Sequence, residues 1–279
     1  MPSPRPFAQV DVFSREPYRG NPVAVVLEAE GLDDEQMLRI AQWTNLSETT
    51  FLLSPTTADA DYRLRIFTQA GEIPFAGHPT LGSARAWLDH GGEPRNAGTI
   101  VQECGAGLVE LRHDDSLLSF AAPPTTRTGP IEDDHLASIV SALGIEAHQV
   151  IDHHWVDNGP GWAAVRLSTS AEVLALDPDF SRLPGAMVGV VGAHPSGAAH
   201  DFEIRAFAPG ANVAEDPVTG SLNASVAQWL TGTGQAPHRY TVAQGTRLGR
   251  AGEIVVTVED GRVWIGGEAL ALVRGTVLA

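Results

Sequence analysis

The residues able to do chemistry in this chain fall at three places. Glu48 stands in Ser47-Glu48-Thr49-Thr50, directly before the apolar run Phe51-Leu52-Leu53. A carboxylate at the edge of an apolar strand is partly desolvated, which favours a raised pKa and use as a general acid or base. One such group can take a proton from carbon and return it elsewhere on the same face of a substrate. A capping or exposed glutamate is the plainer reading of the same residue. His78 lies between Gly77 and Pro79. As a neutral imidazole at a helix start it can donate to a substrate or relay a proton, or it can simply cap the helix. Asp216 precedes Pro217. It can bond its own turn, or it can orient a substrate amine or hydroxyl or the His78 ring, and orientation is preferred to proton transfer. Glu48, His78 and Asp216 are therefore the candidate catalytic residues.

Two similar stretches must position them. The first is Arg65-Ile66-Phe67-Thr68, then Pro74-Phe75-Ala76-Gly77-His78-Pro79-Thr80, ending at Ala86-Trp87-Leu88. The second is Arg205-Ala206-Phe207-Ala208, then Glu215-Asp216-Pro217-Val218-Thr219-Gly220-Ser221, ending at Gln228-Trp229-Leu230. Each reads as an apolar strand, a Gly/Pro-rich turn and a short apolar helix. A helix start carries unpaired N–H groups and the positive end of the dipole, so it can hold an anion. Two such starts facing each other would grip a small carboxylate. The N–H groups of Gly77 and His78, and of Gly220 and Ser221, are the candidate substrate-binding groups. Glycine permits the close backbone approach this needs, and the Ser221 hydroxyl adds a donor.

Around these stretches the sequence reads mostly as strands. Gln9–Phe13 alternates, Gly20-Asn21-Pro22 is a turn, and Val23–Leu27 is a buried strand. Asp33 or Asp34 caps a helix to about Trp43, with Met37, Leu38 and Ala41 on one face. A strand entered from Asn45 to Leu53 pairs with Tyr62–Phe67. Ile100–Val109 and Leu117–Phe120 are further strands, and Pro123 to Pro130 reads as a linker. Then come a helix from Asp133 to Leu143 and a hairpin of 149–156 with 163–167 across Asn158-Gly159-Pro160-Gly161. A short helix covers 171–176. Strand 187–191 pairs with 202–207, and strands follow at 240–243, 254–258 and 263–273, the last two joined by a turn over Glu259–Arg262. The plan of strands around one helix occurs twice, which predicts an α+β fold of two similar halves meeting at a cleft. The halves are expected at 1–126, joined by a C-terminal strand at 267–279, and at 127–266.

Composition narrows the chemistry. The chain has 279 residues and a formal net charge of −16, which argues against nucleic acid or anionic membranes as partners. No apolar run is long enough to span a membrane, and Met1–Pro6 lacks the apolar core of a signal peptide. Cys104 is the one cysteine, so no internal disulfide and no two-cysteine racemase is possible, and a reducing cytoplasm is the expected home. All 18 basic residues are arginine. The absence of lysine removes a pyridoxal Schiff base and a P-loop. Proton chemistry must use carboxylates, histidines or hydroxyls. His153-His154 and His194 with His200 lack metal-ligand spacing. Gly189-Val190-Val191-Gly192 is not a dinucleotide fingerprint, and its glycines read as turns.

Gly20-Asn21-Pro22, Asn45–Thr49, Arg65–Thr68, Pro74–Thr80, Glu215–Ser221, Gln244-Gly245 and Gly266-Gly267 stand in the order found in the PhzF-like isomerase family. The resemblance spans nearly the whole chain, and that family shares the diaminopimelate epimerase fold. It implies two pseudo-symmetric halves, each a mixed barrel-like sheet around a central helix, commonly in a homodimer. It implies acid/base isomerisation with no metal or organic cofactor, and Glu48 matches the family's catalytic glutamate. Where the epimerases carry a cysteine in each half, this sequence has His78 and Ser221 or their neighbours. Gln69 replaces a frequent proline, and Arg250-Ala251-Gly252 replaces Arg-Pro-Ser; both read as lying off the chemistry. The expected function is a cofactor-independent isomerase or epimerase that moves a proton on a small carboxylate. The alternative is a non-catalytic small-carboxylate-binding or dimeric scaffold protein of the same fold, which a glutamine at position 48 would have favoured.

Overall fold

The computed structural model describes residues 2–114 and 117–279. It divides into two compact units, one of Met1–Ala121 with Gly266–Ala279 and one of Ala122–Ile265. The first unit holds β1 (Pro4–Val12), β2 (Asn21–Val26), α1 (Asp34–Thr44), β3 (Thr49–Leu53), β4 (Tyr62–Phe67), β5 (Glu72–Ile73) and α2 (Gly77–Asp89). It continues with β6 (Thr99–Cys104), β7 (Gly107–Asp114) and β8 (Leu117–Ala121). The second unit holds β9 (Arg127–Gly129), α3 (Asp133–Leu143), β10 (Asp152–Asp157), β11 (Ala163–Thr169), α4 (Ser170–Ala175) and β12 (Val188–Ala193). Then come β13 (Phe202–Ala208), β14 (Val213–Asp216), α5 (Gly220–Gly232), β15 (Arg239–Gln244) and β16 (Gly252–Glu259). β17 (Arg262–Leu278) begins in the second unit and ends in the first.

In the first unit β1 pairs with β2, β2 with β3, β3 with β4, β4 with β6, β6 with β7 and β7 with β8. β8 pairs with β17 and β17 with β1, which closes an eight-stranded barrel with no open edge. The β2–β3 and β4–β6 pairs are parallel, and each parallel connection needs a crossover. The crossovers are α1 and the β5–α2 segment. α2 packs on β1, β2, β3, β4 and β8, and every residue from Gly77 to Ala84 is buried. A helix buried on all sides is a core element. Its small residues let it fit: a Cβ on Gly82 would lie 2.3 Å from Val23 Cγ1. α1 instead lies on the sheet, its Met37 and Ala41 packed with Val26, Phe51 and Phe67. Asp33 caps it in a capping box with Gln36, and Asn45 ends it in the left-handed region at φ 58°.

The second unit repeats the order. β11 and β12 run parallel around α4, and β13 and β15 run parallel around β14 and α5. α5 is buried along most of its length, from Gly220 to Leu230. α3 and α4 cover the sheet through Ile139, Leu143 and Val173, packed with Val165, Val188 and Phe207. This is the α+β plan of two like halves, each a mixed sheet around a central helix.

Several local expectations change. Residues 100–109 are not one strand: β6 and β7 form a hairpin over Gly105-Ala106, with Cys104 opposite Gly107. Gly105 allows it, because a Cβ there would meet Pro74 Cα at 2.7 Å. The strand expected from residue 149 starts at Asp152, because Ala147–Gln149 is a 3₁₀ turn inside a Glu146–Gln149 capping box. The stretch expected as a linker contains β9, which pairs with β10. Gly189 and Gly192 are strand residues of β12, not turns. A Cβ on Gly189 would strike the Leu222 side chain, and one on Gly192 the Thr169 carbonyl at 2.4 Å.

Gly82→Ala sets two effects against each other. Alanine in a helix interior gains about 1 kcal/mol over glycine. Overpacking a filled core costs about 1–3 kcal/mol, and Val23 is fully buried. The expected net result is a loss of about 1 kcal/mol, seen as a lower urea midpoint at unchanged slope. An equal or higher midpoint would contradict the filled-barrel account.

Candidate active site

Glu48 is placed by the end of α1 and the start of β3. The chain leaves the helix at Asn45, and the Thr44 and Thr49 hydroxyls meet at 2.7 Å across the turn. Gln69 donates to Asn45 Oδ1 at 3.0 Å, and Gln42 donates to the Gln69 carbonyl at 3.1 Å. Gln69 therefore braces the turn at Asn45 that leads to Glu48. The Glu48 side chain is 16% exposed, and its Oε2 lies 3.4 Å from His78 Nε2. That contact lacks hydrogen-bond alignment.

His78 is the second residue of α2 and is buried. Its Nδ1 lies 3.4 Å from Asn21 Nδ2. Burial drives its pKa down to about 3, and a hydrogen bond to the Pro22 carbonyl offsets only part of this. The imidazole is therefore neutral near pH 7, and its contact with Glu48 is not an ion pair. This is the protonation state a hydrogen-bond donor or proton relay needs.

Neither buried helix is capped by a side chain. Ala76 precedes α2 and has no group to cap with. Thr219 precedes α5 and makes no capping bond. The N–H groups of Gly77 and His78, and of Gly220 and Ser221, are thus left without the usual local partner. Pro79 has no N–H to lose. Ser221 Oγ accepts from Trp162 Nε1 at 3.0 Å, which leaves its proton to donate, and its carbonyl accepts from Asn158 Nδ2 at 2.9 Å.

Asp216 ends β14, with Oδ2 accepting the Thr219 hydroxyl at 2.5 Å. The carboxylate is thus tied to a side chain of its own turn, the Thr219 hydroxyl, rather than to the turn backbone. Gln244, buried at the end of β15, touches the same loop: its amide meets the Thr219 N–H, the Thr219 hydroxyl and the Asp216 carbonyl. Each loop into a central helix is also held by an arginine fork. Arg65 grips both Glu72 oxygens, at 2.8 and 2.5 Å, and lies over Phe67. Arg205 grips both Glu215 oxygens, at 2.9 and 2.8 Å, and lies over Phe207. Bidentate forks of this kind fix geometry as well as charge.

The structure brings Glu48, Gly77 and His78 together in the first unit, and Asp216, Gly220 and Ser221 together in the second. The sequence reading gave no individual role to Asn21, Trp162, Thr219 or Gln244. It quoted Arg65, Arg205 and Glu215 but not Glu72 and paired neither arginine with its glutamate, though the recurrence of Arg then Glu before each helix was visible. Three other histidines make structural contacts. His153 Nδ1 accepts the Ile131 N–H, and His154 Nε2 accepts the Gly129 N–H while stacking on Trp229. His194 lies 3.2 Å from buried Glu203. Among the described residues, no group of three or more His, Cys, Asp and Glu is placed to hold a metal ion. No described helix is long and apolar enough to cross a membrane.

A partly buried carboxyl group thus lies against a neutral imidazole, beside an uncapped helix start. Residues 10–275 match the family model described as phenazine biosynthesis-like protein. A protein of Schizosaccharomyces pombe called Antisense-enhancing sequence 1 is 39% identical, over 96% of this chain and 97% of its own. The trans-2,3-dihydro-3-hydroxyanthranilate isomerase of Pseudomonas aeruginosa is 33% identical, over 91% of this chain and 90% of its own. A crystal structure of a PhzF-family phenazine biosynthesis protein from Enterococcus faecalis superposes with a TM-score of 0.82 at 27% identity, covering 99% of this chain and 100% of that one. The chain belongs to the phenazine biosynthesis-like family, and it is an isomerase.

The state of His78 has a measurable consequence. Its folded pKa lies below the ordinary value of about 6.5 for histidine, so its share of stability is present above pH 6.5 and is lost as pH falls toward 3. Imidazole NMR shifts of His78 should stay those of the neutral ring from pH 8 to about 5, where exposed histidines titrate. A midpoint near 6.5 for His78 would overturn this placement.

Proposed function

We propose that this isomerase moves a proton on a small carboxylate substrate by general acid/base catalysis, with Glu48 as proton carrier and no metal or organic cofactor. The observation that carries this is Glu48 Oε2 at 3.4 Å from the Nε2 of a buried, neutral His78. Glu48 as carboxylate takes a proton from an activated C–H bond. The electron pair shifts through the adjacent π system, and the protonated Glu48 returns the proton at another carbon. The product is an isomer, and Glu48 ends as it began. His78 serves as a donor to the substrate or as a relay. The N–H groups of Gly77 and His78, and of Gly220 and Ser221, with the Ser221 hydroxyl, are the proposed carboxylate donors. Asp216 orients a polar substituent. The family likeness supports a cyclic, amino-acid-like acid as substrate class, with trans-2,3-dihydro-3-hydroxyanthranilate as the first compound to try. The same likeness supports a homodimer.

Glu48→Gln keeps size and hydrogen bonding but cannot carry a proton at neutral pH. Turnover of trans-2,3-dihydro-3-hydroxyanthranilate should fall at least about a hundredfold. Benzoate, a non-reactive carboxylate, should bind within about tenfold of the unsubstituted protein. Near-native turnover would remove Glu48 from its role. Collapse of benzoate binding together with turnover would make Glu48 a binding or structural residue.

A further inference from the structure

Thr219 has the position and the extended backbone of a helix N-cap, φ −110° and ψ 101°, yet makes no capping bond. A capping threonine normally accepts an N–H from the first turn, worth about 0.5–2 kcal/mol. Here its oxygen accepts from Gln244 Nε2 at 2.9 Å, and its proton goes to Asp216 Oδ2 at 2.5 Å.

Gln244 dictates this arrangement, because the backbone fixes which way its amide faces. The Thr219 N–H can only donate, so the atom 3.0 Å from it is Oε1. The Asp216 carbonyl can only accept, so the atom 3.1 Å from it is Nε2. The second lone pair of Oε1 takes Asn223 Nδ2 at 2.8 Å, and Asn223 is itself oriented by the Thr219 carbonyl at 2.9 Å. Both donors and both acceptor sites of the Gln244 amide are used, in a side chain that is 1% exposed. With Nε2 already donating to the hydroxyl, the single hydroxyl proton has the carboxylate as its acceptor. The first unit lacks this device: Gln102 there donates to Thr80 Oγ1 and accepts from Tyr62.

We propose that Gln244 is a positioning residue for the isomerase site, holding the Thr219 hydroxyl on Asp216 and away from the first amides of α5. This rests on the acid/base reading above. The Ser221 amide, which a capping threonine would take, is kept with that of Gly220 for a ligand anion, and one oxygen of Asp216 is held at a fixed place. A threonine that capped its own helix would fill the anion site and release the carboxylate.

The test uses substitutions whose effects part company from simple structural damage. Gln244→Met removes the amide at nearly constant size, so the Thr219 hydroxyl is released to cap α5. Benzoate binding, followed by the amide NMR shifts of Gly220 and Ser221, should weaken at least about tenfold. Adding Thr219→Val removes the hydroxyl that blocks the site, and binding should return to within about threefold of the unsubstituted protein. A double variant that binds as poorly as Gln244→Met, or no benzoate-dependent shift at these amides in the unsubstituted protein, overturns the proposal. Should Gln244→Met not fold, turnover decides. Thr219→Val should lose at least about tenfold in kcat with KM little changed, and Thr219→Ser, which keeps the hydroxyl, should recover most of it. Equal effects of valine and serine overturn the proposal. The benzoate arms do not depend on proton transfer, so Glu48→Gln failing its own test leaves them readable.

Discussion

A buried helix start is the constraint behind this structure. Several N–H groups at the start of any α-helix lack an intrahelical partner, and leaving such groups buried without a partner is costly. α2 and α5 both begin with buried glycines, Gly77 and Gly220. One start has alanine where a cap would stand, and the other has a threonine whose hydroxyl is used elsewhere. Each helix therefore carries an electropositive end whose natural partner is an anion. That demand favours an anionic ligand, as the proposed carboxylate is.

The surrounding structure keeps these starts in place. Each central helix is locked by its sheet through small residues, as Gly82 against Val23 and Gly189 against Leu222 show. Each entering loop is held by an arginine fork, Arg65 on Glu72 and Arg205 on Glu215. The repetition stops at the chemistry. The first unit adds a carboxyl group and a neutral imidazole, whereas the second adds a carboxylate tied to a threonine and a glutamine. In the proposed reaction Glu48 moves the proton and Asp216 orients the substrate. Burial of His78 serves this division, because a charged ring beside Glu48 would compete with the substrate for the carboxylate.

Much of this was legible in the sequence, for physical reasons. Period-two strands, the Asp33 cap and the two Gly/Pro-rich turns into small-residue helices gave the α+β plan and the position of each helix start. Glu48, His78 and Asp216 stood out because their residue types carry protons and their neighbours mark strand edges or helix starts. Gln244 carried no such mark: a neutral amide at a strand end shows its use only once the parallel β13–β15 pair places it beside Thr219. The β6–β7 hairpin was hidden because Gly105-Ala106 interrupts an apolar run without a strong turn signal. The reach of Gln69 to Asn45 depends on tertiary placement that no local pattern encodes.

The central claim is that a protein carboxyl group carries a substrate proton from one carbon to another. The Glu48 side chain is partly exposed, so the substrate proton it holds between abstraction and return can exchange with water. Chelator-treated protein incubated in heavy water with trans-2,3-dihydro-3-hydroxyanthranilate and a set of small cyclic carboxylates, followed by mass spectrometry and NMR, measures this directly. The account predicts isomerisation of at least one of these acids with substrate hydrogen or exchanged deuterium at the new carbon, and the loss of both in Glu48→Gln. Isomerisation or carbon-bound deuterium that persists in Glu48→Gln, or activity that disappears on chelation and returns with a metal ion, would contradict it.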